Sequence, residues 1–302
     1  VLLAFAATGC GTSGEATDDA GSTQTAEPDA AEVAAPEWAA PLLARPGPES
    51  ALVMASSDFA VGDNRVAFLL VREDGSTVAA PRVEVSYQPT DGAEVRTTAA
   101  RLIPFGAEDA EEGDATAVYV ANLVGLAEGK RWLVVEPPDE ELQGFQILSV
   151  KQRSLAPAVG ERAPASDTPT LATAPAEEIT TARPPDVELL RHSVADAIAE
   201  GVPFVVAFAT PQFCQTRACG PTVDIVDATR RRFAGRDVRF IHVEIYEDNT
   251  PGKGPNRWVT EWNLPSEPWV FVVDGDGVVR ARFEGAVAAD ELERAVRGVL
   301  GR

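Results

Sequence analysis

The sequence predicts a multidomain protein, an all-β sandwich followed by an α/β domain, and three observations carry that reading. Short β-rich runs with turn residues between them fill residues 47–153, and no helical period interrupts them. From residue 187 the rhythm changes to alternating helix and strand, the order of an α/β sheet. Between the two, residues 154–186 are rich in Pro, Ala, Thr and Ser, the composition of an extended, semi-stiff connector. The 302 residues suit about two domains of ordinary size, and a 45% hydrophobic fraction is enough to build their cores. Charge excludes one class of partner. With 26 Lys and Arg against 47 Asp and Glu, the formal net charge is −21, whereas nucleic-acid binding needs clustered cations for counterion release. The only basic run, Arg230-Arg231-Arg232, fits a solvated helix face.

The first ten residues, Val1-Leu2-Leu3-Ala4-Phe5-Ala6-Ala7-Thr8-Gly9-Cys10, are apolar and then small up to the cysteine. They resemble the end of a bacterial lipoprotein signal, in which the cysteine is lipidated and becomes the first mature residue. Ala7 stands where that family usually has Leu. The resemblance implies a membrane anchor of more than one acyl chain at Cys10, hence a location in the cell envelope. Residues 11–46 carry acids and no Lys, with Ala, Thr, Ser, Gly and Pro making up most of the rest. Such a stretch buries too little apolar area to offset its ordering entropy and is expected to be a disordered tether. No run approaches the roughly 20 apolar residues of a membrane-spanning helix.

In residues 47–153 the expected strands are 51–55, 65–72, 82–88, 94–102, 115–123, 130–136 and 144–151, rich in Val, Leu, Phe and Tyr. Gly62-Asp63-Asn64, Glu73-Asp74-Gly75 and Glu128-Gly129 supply turns. About seven strands in roughly 100 residues describe an immunoglobulin-like sandwich. The region has no cysteine for an inter-sheet bridge, and with no His and only Met54 it lacks copper ligands. Tyr119 and Trp132 are expected to be core aromatics.

In residues 187–302, Ser193 is placed to cap a short helix to Glu200. Pro203-Phe204-Val205-Val206-Ala207-Phe208-Ala209-Thr210 is a near-continuous apolar run, as in a strand buried on both faces. A loop with Cys214 and Cys219 follows, and Pro221 suits the first turn of the next helix. A strand over 237–246, a helix over 256–263, strands over 269–274 and 278–284 and a helix over 289–300 complete the domain. The two cysteines, C-x4-C before a helix, are the one constellation with chemistry in it.

This order, with Phe213-Cys214-Gln215-Thr216-Arg217-Ala218-Cys219-Gly220-Pro221 and Leu264-Pro265-Ser266-Glu267-Pro268-Trp269, resembles the thioredoxin superfamily over about 115 residues. The resemblance implies that Pro268 is cis and faces the cysteines, that Cys214 and Cys219 form a redox-active disulfide, and that Cys214, Cys219 and Pro268 form the catalytic set for thiol–disulfide exchange with a protein partner. No cofactor and no metal are expected, and the chain is expected to be monomeric. The spacing departs from the C-x2-C of thioredoxin, and two registers fit. Counted from the strand, Cys214 is the nucleophile; counted from Cys-Gly-Pro, Cys219 is, beside the amides of a helix N-terminus. The buried acid of thioredoxin has no counterpart in Val205-Val206-Ala207. A passive bridge in a cell-surface scaffold is the second reading, although so short a loop yields about 2 kcal/mol against about 5 for one of roughly 100 residues. Cu(I) handling is the third, since soft thiols suit that ion. Copper-insertion factors add a His near the hairpin that is missing from Ser266-Glu267-Pro268-Trp269. His242, in mid-strand, is expected to be a packed residue and His192 a solvated one.

Overall fold

The computed structural model describes residues 34–44, 50–104, 117–138, 143–214 and 218–301. Cys10 and nearly all of the expected tether lie outside them. A helical turn, α1 (Ala40–Leu43), precedes eight strands: β1 (Ser50–Met54), β2 (Phe59–Ala60), β3 (Gly62–Arg72), β4 (Arg82–Tyr87), β5 (Arg96–Pro104), β6 (Ala117–Leu126), β7 (Gly129–Glu136) and β8 (Gly144–Lys151). Every expected strand forms, with ends moved by a few residues, and β2 is added. Strand periodicity explains the core. Val66, Phe68 and Leu70 of β3, Val83, Val85 and Tyr87 of β4, and Tyr119, Ala121 and Leu123 of β6 alternate inward into one cluster. Tyr119 keeps its hydroxyl satisfied by donating to the carbonyl of Ala80 at 2.8 Å, and Trp132 stacks on Phe145.

Where the expectation was two facing sheets, the strands are linked into a single ladder in the order β1-β3-β6-β5-β4-β7-β8-β2. The joint is the β4–β5 hairpin, which pairs antiparallel from Arg82↔Arg101 to Tyr87↔Arg96 and so ties the two halves into one sheet. Only β2 runs parallel to its neighbour, β8.

The second part contains α2 (Ala176–Ile179), α3 (Val194–Glu200), β9 (Phe204–Phe208), α4 (Cys219–Arg232), β10 (Arg239–Val243), α5 (Arg257–Glu261), β11 (Trp269–Val273), β12 (Val279–Glu284) and α6 (Ala289–Leu300). The sheet order is β10-β9-β11-β12, with β10 parallel to β9 and the other two antiparallel. Val205 and Ala207 of β9 and Val270 and Val272 of β11 face Val223 and Val226 of α4 and Leu292 and Val296 of α6. Phe204, Val206, Phe208 and Phe271 face the other way, onto Trp262 and Val194. Both faces of β9 are therefore covered, as its unbroken apolar run demands. The Glu267–Pro268 peptide opening β11 is cis. This arrangement is thioredoxin-like and occupies part of the chain.

Residues 154–186 are not an extended connector. They run along the second sheet: Gly160 donates to the carbonyl of Val279, Val279 to that of Glu161, and Ala163 to that of Gly277. Small side chains let the backbone come this close, and Ala156 and Ala163 join the core beside Trp262 and Trp269. The hydroxyl residues turn inward because each finds a partner. Ser166 bonds Glu261 and accepts from the Trp262 indole, Thr168 accepts the Val194 amide, and Thr181 bonds Glu244. Composition signalled low hydrophobicity, but not the hydrogen bonds that replace it.

Residues 35–302 form one compact unit. Ala67, Ile103, Val118 and Val120 of the first sheet pack on Ala218, Ala286 and Ala288. Next to this apolar contact lies a buried polar one. The Asp58 carboxylate accepts the amides of Leu155 and Ala156 and pairs with Arg282 at 3.1 Å. Glu284 accepts the Ser57 hydroxyl, the Asp58 amide and the Ser266 hydroxyl. At its edge, Arg65 bridges to Glu291 and to the carbonyl of Ala286. Removing one member of such a set leaves the others buried and unmatched. Asp58→Ala is therefore expected to lower the unfolding free energy by about 3–5 kcal/mol, read from urea denaturation; a loss under about 1 kcal/mol would show that the pair is not a lock.

Candidate active site

The site forms where β9 runs out and α4 begins. Phe208 ends the strand, and Thr210-Pro211-Gln212-Phe213 turn the chain toward Cys214. Helix α4 then starts on Cys219, with Pro221 in its first turn, where a missing N–H costs nothing. Ala218, the residue before the helix, offers no side-chain cap. The amide of Cys219 donates instead to Sγ of Cys214 at 3.3 Å, so the sulfur of one cysteine takes the place of a capping oxygen for the helix that the other begins.

The two cysteines are thiols in this structure, not the bridge expected from the sequence, and they differ in environment. Cys214 is half-buried, whereas Cys219 is fully buried and packs with Val205, Ala207, Val223 and Val270. Burial, and then the hydrogen bond from its thiol to Cys214, push the Cys219 thiol far above the ordinary thiol range. The two positions named by the two registers differ in accessibility. Cys219 has the helix position, and Cys214 has both the helix amide and the open side.

Pro268 lies next to Glu267, whose carboxylate, with the two sulfurs, forms a set of three ligand atoms within 4.8 Å of one another. These three are the described residues able to hold a metal here, two soft donors and one hard one. Burial, followed by the charge of Cys214, raises the Glu267 carboxyl to about 7, and a hydrogen bond from Tyr246 opposes part of the rise. The Tyr246 hydroxyl donates to Oε1 of Glu267 at 3.4 Å, and its own ionisation is raised by burial and by that carboxylate. The loop that holds Glu267 is fixed from both ends. Ser266 bonds Glu284, and Gly285 donates to the carbonyl of Pro268 at 2.9 Å. Gly285 has φ of 72°, and a side chain there would press into the Ala55 carbonyl, so glycine is required twice over.

Behind the site, Glu244 is buried, with one oxygen accepting the amide and hydroxyl of Thr181, both at 2.6 Å. His242 packs as expected, with Nε2 3.0 Å from the Ala209 carbonyl and Nδ1 3.3 Å from the Thr180 hydroxyl. His192 is half-buried rather than solvated, and burial lowers its ionisation. The structure brings Cys214 and Cys219 together with Glu267, the neighbour of Pro268, and the sequence reading did not single out Glu267 or Tyr246. A carboxylate directly before the hairpin proline was the visible signal for the first; nothing local marked the second.

No protein-family model matches the chain, and no curated protein matches it. Among solved structures it is similar to a thiol:disulfide interchange protein of the thioredoxin family from Chlorobium tepidum TLS, at 18% identity over 48% of this chain and 97% of that one, with a TM-score of 0.32. A putative thiol:disulfide interchange protein DsbE from Chlorobium tepidum matches at 14% identity over 48% of this chain and 100% of that one, with a TM-score of 0.35. A DsbF homologue from Corynebacterium diphtheriae matches at 16% identity over 35% of this chain and 76% of that one, with a TM-score of 0.30.

The difference in burial makes a direct prediction about reactivity. With iodoacetamide in excess over the reduced protein, Cys214 is expected to be alkylated at least tenfold faster than Cys219, because only an accessible thiolate reacts. Peptide mapping of the labelled sites reads the ratio, and equal rates would contradict this account.

Proposed function

We propose that the protein is a lipid-anchored, extracytoplasmic thioredoxin-like protein that exchanges thiols and disulfides through Cys214 and Cys219. The single observation that carries this reading is the pairing of a half-exposed sulfur under a helix amide with a buried sulfur behind it. Cys214, as thiolate, attacks a disulfide of a protein substrate; one substrate sulfur leaves as thiolate and a mixed disulfide forms. Cys219 then attacks Cys214, the second substrate sulfur departs, and the chain is left with the Cys214–Cys219 bridge. The substrate gains two electrons and the dithiol loses them; in the other direction the same steps oxidise a substrate dithiol. Pro268 would hold the substrate backbone beside Cys214, in keeping with the resemblance to thioredoxin.

Cys10 would carry the lipid, with the acidic stretch after it as tether, and the protein would act as a monomer on thiols or disulfides of envelope proteins. Among the described residues no helix is long and apolar enough to cross a membrane. The first sheet is read as immunoglobulin-like on its pairing order. Strands β1, β3, β6 and β5 follow one another as in the ABED sheet of that fold, and β4, β7 and β8 follow as in its CFG sheet. A passive scaffold bridge is less well supported, since a staple has no use for an accessible sulfur under a helix amide. Cu(I) handling is weakened by a carboxylate where a histidine would be wanted.

Exchange with a small aromatic disulfide separates these readings. Cys214→Ser is expected to abolish reaction, and Cys219→Ser to accumulate a mixed disulfide visible by intact mass. Wild-type protein that gives no exchange, or Cys214→Ser protein that retains half the rate, would reject the proposal.

A further inference from the structure

Glu267 is unused by the exchange chemistry as written, yet it occupies the one place from which a side chain reaches both sulfurs. Its carboxylate lies within 4.8 Å of each. The groups facing it are Cys214 on the loop, Cys219 on α4, and Glu244 and Tyr246 beyond β10, and the ionic ones among them are anionic. Among the described residues no cation is paired with Glu267, and burial together with the neighbouring negative charge disposes its carboxylate to take up a proton. Cys219 has the opposite difficulty. Its thiol must ionise in order to resolve the mixed disulfide, but it is buried among valines and alanines with no water-facing surface. The other carboxylate nearby, Glu244, accepts the Thr181 amide and hydroxyl through one oxygen while its second is buried without a partner among the described residues, and His242 is committed to Ala209 and Thr180; Glu267 is the carboxylate grouped with both sulfurs.

We propose that Glu267 is the proton acceptor for Cys219 in the resolving step, an assignment that rests on the exchange reading above. The proton of the Cys219 thiol passes to the Glu267 carboxylate. The sulfur then attacks Sγ of Cys214, the bond from Cys214 to the substrate sulfur breaks, and the electron pair leaves with the substrate thiolate. Glu267 releases its proton to that thiolate or to water. In reverse, as a substrate thiolate opens the Cys214–Cys219 bridge, the protonated Glu267 returns the proton to Cys219. A carboxyl that titrates at about 7 is well matched to both directions near neutral pH. In the mixed disulfide Cys214 carries no charge, so one of the influences raising Glu267 is removed.

An aromatic disulfide that releases a coloured thiol tests the assignment on the whole reduced chain. Each encounter gives two releases, the first from attack by Cys214 and the second from resolution by Cys219; Cys219→Ser should show the first alone. In wild type the second release should quicken as pH rises to about 7, since the acceptor must be ionised, and then level off. In Glu267→Gln at pH 8 the first release should be as fast as in wild type or faster, because a negative charge beside Cys214 is gone. The second should slow by roughly ten- to a hundredfold or more, without the inflection, in the range of general-base contributions. A second release unchanged in Glu267→Gln, or both releases slowed together as a purely structural role would produce, overturns the proposal while leaving exchange itself in place. Absence of any second release in wild type overturns the exchange reading, and this assignment with it.

Discussion

The buried contact of Asp58 with Arg282, and of Glu284 with Ser57 and Ser266, is the constraint on which the rest of the unit depends. Asp58 arises from the first sheet, Arg282 and Glu284 from the last strand of the second, and Ser266 from the loop that carries Glu267 and Pro268. Charges are removed from water only at high cost unless every lone pair finds a donor, and here amides and hydroxyls from three segments provide them. The set therefore tolerates one relative placement of the two sheets. It also fixes the loop facing the cysteines, because the same carboxylate that receives the first sheet receives Ser266. In this fold the first sheet is a structural neighbour of the site, even though it provides none of the sulfurs.

Within that frame the two cysteines are made unlike by position alone. A helix that begins without a side-chain cap leaves amides to be satisfied, and Sγ of Cys214 meets one of them. Cys219, a single step into the helix, is turned into the apolar layer between sheet and helices. Helix α4 starts on Cys219, so Cys214 lies outside it. The same N-terminal turn thus presents one sulfur to solvent and withholds the other. The Glu267 carboxylate lies beside both.

Much of this was legible in the sequence, for reasons that can be named. Strands β3 to β8 declare themselves by alternating Val, Leu, Phe and Tyr, and β9 by an unbroken apolar run, since burial on one face or two leaves those patterns. Ser193 announces its helix through a side-chain cap that forms as expected, and Asn256, at the start of a later expected helix, caps α5 in the same way. The cis proline was implied by the resemblance to the thioredoxin superfamily. What escaped notice depends on tertiary contact. Strand β2 has two residues and exists because β8 lies beside it. The path of residues 154–186 is set by hydroxyls whose partners are far along the chain, and Glu267 acquires its character only from sulfurs about fifty residues earlier. Closure of the first sheet through the β4–β5 hairpin is likewise a matter of register, which alternation alone does not specify.

The path of residues 154–186 has a bearing on how such a protein behaves at high concentration. Strand β12 ends the second sheet, and a bare terminal strand is a template for pairing with another chain. Here Gly160, Glu161 and Ala163 already occupy the backbone groups of Gly277 and Val279, so the start of that rim is covered by the chain's own substance. Another copy approaching this end meets backbone groups that are already paired, beside a segment whose Leu155, Val159 and Leu171 stay exposed.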